Sequence, residues 1–198
     1  MLKTKFQTLC QNFTHNQNLI DRLWQEIAEA HSQPNRYYHT LKHLEDIYKV
    51  LPKLDTVTEF TIFYHDIVYD VLKANNEEQS ALLCEERVHL LGVESELITE
   101  VTQLIVETKR HKTTSKRNAL FLDADLAILG SSKEVYSLYT QNVRQEYAIY
   151  SDEIYKEGRR DVLRHFLEKE SIYLSHYFYT KYEQQAQENI LIEYNSII

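Results

Sequence analysis

A histidine and an aspartate stand side by side in a strongly apolar segment of this chain. His65 and Asp66 lie within EFTIFYHDIVYD, where most neighbouring residues are aromatic or aliphatic. Such a segment is buried on most of its surface, and burying an imidazole and a carboxylate there is costly unless something pairs them. A metal ion pairs them well, since both groups are ligands for Mn, Fe, Zn or Co. A buried hydrogen-bonded pair would satisfy them too, so the doublet alone leaves both interpretations open.

Two further segments place ligand-type residues among apolar ones. RYYHTLKH carries His39 and His43, whose spacing of four predicts the same face of one helix. The apolar residues that follow on this face indicate that at least His43 points inward. FLDADLAIL carries Asp123 and Asp125 in an otherwise apolar helix, where carboxylates need a partner. Three such segments together favour metal coordination over three separate buried pairs.

The elements that must position these side chains are predicted to be helices throughout. The chain has 198 residues but only 3 glycines and 2 prolines, too few turn residues for a β-rich fold. Apolar residues recur at three- and four-residue steps, which is typical of amphipathic helices. This pattern predicts ten helices, near 2–14, 17–31, 36–51, 56–71, 75–91, 94–111, 117–129, 132–150, 152–170 and 173–196. No linker or repeat separates them, so we expect a single all-α domain over residues 1–198.

Composition and charge exclude several classes of function. A formal net charge of −8 argues against general binding of nucleic acid, although a bound metal can still attract phosphorylated small molecules. The chain has no long apolar run and no signal-peptide pattern, so we expect a cytoplasmic protein without a membrane partner. Cys10 and Cys84 lack metal-type spacing and are expected to be reduced core residues. The cations in KRHKTTSKRN, residues 109–118, form either a solvated loop or a rim that attracts phosphate to a neighbouring site. The sequence leaves open whether the chain forms a homo-oligomer.

The longer pattern resembles the HD-domain superfamily of metal-dependent phosphohydrolases. An isolated histidine, an adjacent His-Asp doublet and a distant aspartate, all on helices, are similar to that superfamily's ligand arrangement. Seven segments of this chain resemble one bacterial branch, which is described as predicted metal-dependent HD phosphohydrolases. These segments are RYYHTLKH, FYHDIVYD, NEEQSA, LIVETKRH, FLDADLAILG, RQEY and GRRDVLRHFL. The matches run from about residue 20 to Asn189 and imply a compact multi-helix HD-domain bundle.

The resemblance also implies a ligand set and a reaction. His43 would be the first ligand, His65 and Asp66 the doublet, and Asp125 the fourth ligand, with Asp123 as its competitor. This set would hold one divalent ion (Mn, Fe, Co, Ni, Zn or Mg). Whether a second ion binds is left undecided. The expected reaction is hydrolysis of a phosphate ester or anhydride, of a nucleotide or another small phosphorylated metabolite, by a metal-activated water.

Further roles are expected from chemistry and position. Asp66 would orient the water, while Glu77 is either an alternative base or a carboxylate that favours a helix start. Five residues are expected to bind substrate: Arg36, His39, Lys73, Lys109 and His111. Three more residues either stabilise the fold or contact substrate, and the sequence does not decide between these roles: Arg144, Glu146 and Arg159.

Two other interpretations remain. Some relatives of this fold bind two irons and oxidise their substrates, using additional histidines between the doublet and the last aspartate. Only His89 and His111 lie in that interval here. The other interpretation is a non-catalytic module that binds a metal or a nucleotide, because one scaffold hosts several chemistries.

Overall fold

The computed structural model describes residues 1–197, and these residues form an all-α structure without strands, as predicted. The ten helices are α1 (Leu2–Gln11), α2 (Gln17–Ala30), α3 (Leu41–Val50), α4 (Thr56–Tyr64), α5 (Asn76–His89), α6 (Ser95–Thr108), α7 (Lys116–Asp125), α8 (Lys133–Glu146), α9 (Asp152–Leu167) and α10 (His176–Ser196). A short 3-10 helix, Leu126–Gly130, follows α7. Within the described range, no helix combines the length and the apolar character needed to cross a membrane.

The chain divides into two compact units. The first is Met1–Thr113, with α1 to α6, and the second begins at Thr114, with α7 to α10 and the 3-10 helix. Cys10 and Cys84 are buried free thiols of the first unit, which confirms that they are core residues. The single domain expected over residues 1–198 stays a prediction.

Helix α4 lies at the centre of the first unit. Seven of its nine side chains are buried, and it packs against α1, α3, α5 and α6. A helix that is apolar on all sides has to be surrounded in this way. Its start is fixed by a capping box, in which the Asp55 carboxylate accepts the Thr58 N–H and the Thr58 hydroxyl accepts the Asp55 N–H, both at 2.9 Å. The other end of α4 therefore brings His65 into the interior of the unit.

Helix α3 begins five residues later than predicted. Thr40 is its N-cap, and the Thr40 hydroxyl accepts the Lys42 N–H at 3.3 Å. His39 consequently lies in the segment before α3. The prediction that His39 and His43 share one helical face was therefore wrong, because α3 begins only after the capping threonine that lies between them.

Two buried carboxylates organise the second unit. Glu183 on α10 accepts the N–H groups of the first two residues of segment 172–175, at 2.9 and 3.1 Å. Asp123 on α7 accepts the N–H groups of the last two residues, at 2.8 and 2.7 Å. Buried carboxylates are costly unless hydrogen bonds compensate them, and four N–H groups do so here. The segment is thereby fixed immediately before α10, whose N-cap is Ser175.

The 3-10 helix of the second unit packs closely against α10. A Cβ atom at Gly130 would lie 2.6 Å from both the Cβ and the main-chain oxygen of Tyr182, so only glycine fits there. The Asn189 side-chain amide of α10 donates to the main-chain oxygens of Leu129 and Ser131, both at 2.9 Å. These contacts seat the end of the α7 segment on the last helix.

The Tyr64 hydroxyl is fully buried and has no hydrogen-bond partner among residues 1–197. Burial raises the pKa of Tyr64 well above its ordinary value. Tyr64→Phe removes an unsatisfied group without opening a cavity, so we expect it to raise the free energy of unfolding by about 1 kcal/mol. The Tyr173 hydroxyl donates to the Leu126 oxygen at 3.1 Å, and Tyr173→Phe should lower the free energy of unfolding by about 1 kcal/mol. Urea denaturation measures both variants, and equal losses in the two would contradict the prediction.

Candidate metal centre

Three side chains of the first unit converge on one point: His43, His65 and Asp66. The His65 Nε2 atom lies 3.2 Å from the His43 Nε2 atom and 3.1 Å from the Asp66 Oδ2 atom. The distance from His43 Nε2 to Asp66 Oδ2 is 3.7 Å. An ion about 2.0–2.2 Å from each of its ligand atoms holds them about 3.0–3.5 Å apart. Two of the three separations lie in this range, and the third, 3.7 Å, exceeds it slightly. The group could therefore hold a metal ion, as the sequence predicted.

Helix α4 fixes the ring of His65 in the orientation that a ligand needs. The His65 Nδ1 atom lies 3.2 Å from the main-chain oxygens of both Thr61 and Ile62, so Nδ1 carries the proton. The Nε2 atom then has its lone pair next to His43 and Asp66. Main-chain carbonyls commonly hold ligating histidines in this way, because they fix both the tautomer and the ring orientation.

His39 lies at the edge of this group. Its Nε2 atom is 4.0 Å from the Asp66 Oδ2 atom, and about a fifth of its side chain is exposed. The ring stacks on Tyr69, with centroids 4.2 Å apart and an interplanar angle of 29°. His39 thus lies at the rim of the group, and its expected contact with substrate stays a prediction. The sequence assigns no role to Tyr69, since one more aromatic residue in an apolar segment does not indicate stacking.

Arg36 is buried and connects the two segments that carry the ligands. Its guanidinium donates to the main-chain oxygens of Asp66 at 2.6 Å and Ile67 at 2.9 Å, and to that of His39 at 3.3 Å. It also lies 5.4 Å from the centre of the Tyr69 ring. Arg36 therefore positions the residues that follow α4, and its expected contact with a phosphate stays a prediction.

The segment after α4 is also held by the start of α5. The Val68 N–H donates to the Ser80 hydroxyl at 3.1 Å, and that hydroxyl donates back to the Val68 oxygen at 3.3 Å. The Asn76 side chain accepts the Asp70 N–H at 3.1 Å and donates to the Asp70 oxygen at 3.0 Å. These hydrogen bonds replace the main-chain hydrogen bonds that a continuing helix would make, so α4 ends before the His65-Asp66 doublet. The predicted end of this helix near residue 71 was therefore wrong. The polar residues of NEEQSA thus shape the segment that carries the doublet.

Glu77 lies in the first turn of α5, where the sequence placed it. Lys109 at the end of α6 lies 3.8 Å from the Glu77 carboxylate and donates to both oxygens of Glu78, at 2.6 and 2.8 Å. The same ammonium donates to the Ala74 oxygen at 2.5 Å, and its hydrogen bond lowers the pKa of Glu78. Lys109 thus ties α6 to the start of α5, while its expected contact with substrate stays a prediction.

Two other expected substrate residues lie on loops of the first unit. Lys73 is exposed and lies 3.6 Å from the Asp70 carboxylate. His111 has a φ of 47°, a left-handed conformation that is uncommon outside glycine, and its N–H donates to the Glu107 oxygen at 2.9 Å. These contacts do not indicate that Lys73 or His111 binds substrate, so both roles stay predictions.

The predicted fourth ligand belongs to the second unit. Asp125 is the last residue of α7 and is half-buried. Asp123 is buried, and both of its oxygens accept N–H groups of segment 172–175. That engagement favours Asp125 for the fourth position, which stays a prediction.

Two of the three residues that could serve as scaffold or contact substrate, Arg144 and Arg159, make structural contacts in the second unit. Arg159 is buried and donates to both carboxylate oxygens of Glu193, at 2.7 and 2.9 Å. Arg144 donates to Asp152 at 2.6 Å and to two main-chain oxygens. Glu146 is also buried. These contacts favour the scaffold role.

His31, at the end of α2, is a buried histidine to which the sequence analysis gave no role. Its Nδ1 atom lies 3.0 Å from the Ile27 oxygen. Burial, followed by the nearby charge of Arg36, lowers the pKa of His31 to about 3, so the ring is neutral at physiological pH. No local pattern marks this residue, because its environment is formed by distant parts of the first unit.

Comparison with protein-family models, curated proteins and solved structures found no match to this chain. Its candidate site is therefore defined by its own geometry. Membership of the HD superfamily rests on the motifs described above and is a proposal.

Proposed function

We propose that this chain is a metal-dependent phosphohydrolase of the HD superfamily. In this proposal it cleaves a phosphate ester or anhydride of a nucleotide or another small phosphorylated metabolite in the cytoplasm. The observation that carries the proposal is the convergence of His43, His65 and Asp66, whose ligand atoms lie 3.1–3.7 Å apart. Asp125 is proposed as the fourth ligand.

Each residue of the site has a separate task in this proposal. A divalent ion held by the ligand set would lower the pKa of a water molecule and neutralise charge on the phosphoryl group. Asp66 orients that water, and because a fifth of its side chain is exposed, solvent and substrate can approach it. His65 is almost fully buried, so its task is to hold the ion. Glu77, about a quarter exposed, is the second candidate for accepting the proton.

Substrate phosphates are proposed to bind at the exposed edge of the first unit. His39 offers a ring nitrogen beside Asp66, and Lys73, Lys109 and His111 lie on loops or helix ends. A cation near the site attracts anionic substrate even where it is already paired, because its field extends beyond the contact. Arg36 contributes mainly by positioning, since its donors already serve main-chain oxygens.

The test of this function is phosphate release from a panel of nucleotides and simple phosphoesters with Mn, Co, Mg or Ni added. We expect release that depends on metal and disappears in His65→Ala, because the Nε2 ligand is lost. His89→Ala is the matched control, since His89 is an exposed histidine at the end of α5. Absence of release with every metal, in a chain that binds metal, would contradict the proposal.

An iron oxygenase is the second candidate function. The two imidazoles and the carboxylate of the candidate site are ligands that iron also accepts. About two irons per chain, with oxygen uptake and no phosphate release, would favour this candidate. A nucleotide that binds without being turned over would instead favour a non-catalytic binding module.

A further inference from the structure

The ring of His39 reaches the candidate metal centre from a segment that lies outside any helix. His39 comes immediately before Thr40, the N-cap of α3, so the hydrogen bonds within α3 do not fix its backbone. Its Nε2 atom nevertheless lies 4.0 Å from the Asp66 Oδ2 atom, and about a fifth of its side chain is exposed. A part-exposed side chain on irregular backbone has several rotamers open to it, so this position requires contacts that select one of them.

The ring of Tyr69 makes such a contact with His39. The two rings are stacked, with centroids 4.2 Å apart and an angle of 29° between their planes. Stacked aromatic rings attract one another beyond the area that they bury. The Tyr38 ring stands at 82° to the same imidazole, with centroids 4.9 Å apart. The two tyrosines therefore restrict the rotation of the imidazole in different directions.

The Tyr69 ring is itself held by Arg36. The guanidinium carbon lies 5.4 Å from the centre of the ring, a distance at which a cation is attracted to an aromatic face. The same guanidinium donates to the main-chain oxygens of Asp66 and Ile67, which begin the segment that carries Tyr69. It also donates to the main-chain oxygen of His39 at 3.3 Å. Arg36 thus contacts both partners of the stack and the main chain that carries each of them.

We propose that Tyr69 is a positioning residue, whose ring keeps the imidazole of His39 beside Asp66. Tyr69 acts through His39 and does not have to touch the substrate. Its effect on turnover rests on the proposed function, in which His39 offers a ring nitrogen to a substrate phosphate. The position of the imidazole itself does not depend on the reaction.

Turnover by Tyr69→Leu and Tyr69→Phe tests this role, because leucine removes the ring whereas phenylalanine keeps it. We expect kcat/KM for metal-dependent phosphate release to be about threefold to tenfold lower in Tyr69→Leu than in Tyr69→Phe. Bound metal should be the same in both variants, since the proposed ligand atoms belong to other side chains. Tyr179→Leu is the matched control, because it makes the same exchange at a tyrosine of α10 that is about half exposed. It should leave release unchanged.

A double-mutant cycle with His39→Ala separates positioning from general packing. In the His39→Ala background, Tyr69→Leu should change kcat/KM by less than about twofold, because the ring that Tyr69 positions is absent. A full loss in that background, or a loss of bound metal in Tyr69→Leu, would show that Tyr69 instead supports Arg36 and the Asp66 segment. Either result overturns the proposal, and so do equal values of kcat/KM for Tyr69→Leu and Tyr69→Phe.

Proton NMR of the full chain tests the stack without any activity. The ring protons of His39 lie over the face of Tyr69, so they should resonate upfield of those of an exposed histidine such as His89. The spectrum of His39→Ala identifies these signals by their absence. They should move downfield in Tyr69→Leu and stay close to their original positions in Tyr69→Phe.

The NMR result also separates this inference from the proposed function. His39 signals without an upfield shift in the unchanged chain overturn the positioning role, whatever the reaction. Shifted signals that respond to Tyr69→Leu, in a chain that releases no phosphate with any metal, would support the position of the imidazole and contradict the proposed function.

Discussion

Asp66→Ala is expected to lower metal-dependent phosphate release at least about a thousandfold while the chain keeps its helical content. The Asp66 Oδ2 atom lies 3.1 Å from His65 Nε2 and 3.7 Å from His43 Nε2, so the substitution removes one of the three proposed ligands of the first unit. The contact that Arg36 makes in this segment is with the main-chain oxygen of residue 66, and alanine preserves it. The loss should therefore appear in metal content and turnover rather than in folding.

Asp46→Ala is the matched control for this substitution. Asp46 lies on α3, nearly half of its side chain is exposed, and it pairs only with Lys42 and Lys49 at the surface. Surface pairs of this kind contribute about 0–1 kcal/mol, so metal content and turnover should stay close to those of the unchanged chain. Phosphate release, bound metal and the circular dichroism spectrum together decide the result. Full release by Asp66→Ala would exclude Asp66 from the reaction.

Asp123→Asn is expected to lower stability, whereas Asp125→Asn is expected to lower metal binding and turnover. Each oxygen of Asp123 accepts a main-chain N–H group, and asparagine can accept only one of them. The second N–H would face an amide NH2 inside the protein, so Asp123→Asn should lower the free energy of unfolding by about 3 kcal/mol. Asp125 is half-buried at the end of α7, and Asp125→Asn should change the free energy of unfolding by less than about 1 kcal/mol. If Asp125 is the fourth ligand, the same substitution lowers bound metal and turnover.

Denaturant unfolding and metal content, measured on both variants, separate these effects. The assay for phosphate release must be run well below the midpoint of thermal unfolding of Asp123→Asn, so that loss of fold is not scored as loss of chemistry. A stable Asp123→Asn chain that has lost its metal would reverse the assignment and make Asp123 the ligand.

Much of the fold and part of the site follow from local sequence patterns. Helical periodicity is a property of short segments, and each of the ten predicted helices is present. The burial of His65 was predictable because most of its neighbours in EFTIFYHDIVYD are apolar. The inward position of His43 followed in the same way from the apolar residues that come after it on α3.

The geometry that depends on distant contacts could not be predicted in this way. The sequence does not distinguish a threonine inside a helix from a threonine that caps its start. Only the hydrogen bond from the Lys42 N–H to the Thr40 hydroxyl shows that α3 begins after Thr40 and that His39 lies outside it. The end of α4 is set by Arg36, Asn76 and Ser80, which bind the main chain of the next segment. Periodicity contains no information on these side-chain bonds, which span 6 to 30 residues of the chain.

The choice between Asp123 and Asp125 shows the same limit. Both residues lie in one apolar segment, and no property of that segment distinguishes them. The residues that do so are in segment 172–175, about fifty positions further along the chain.

Segment 172–175 should also behave unlike a loop in deuterium exchange. Its four consecutive N–H groups are bound to Asp123 and Glu183, two carboxylates with almost no access to water. Amide protons held in this way exchange only when the surrounding structure opens. In a deuterium-uptake profile, protection should therefore begin at Ile172, four residues before the first turn of α10, and the segment should exchange as slowly as the helices that enclose it.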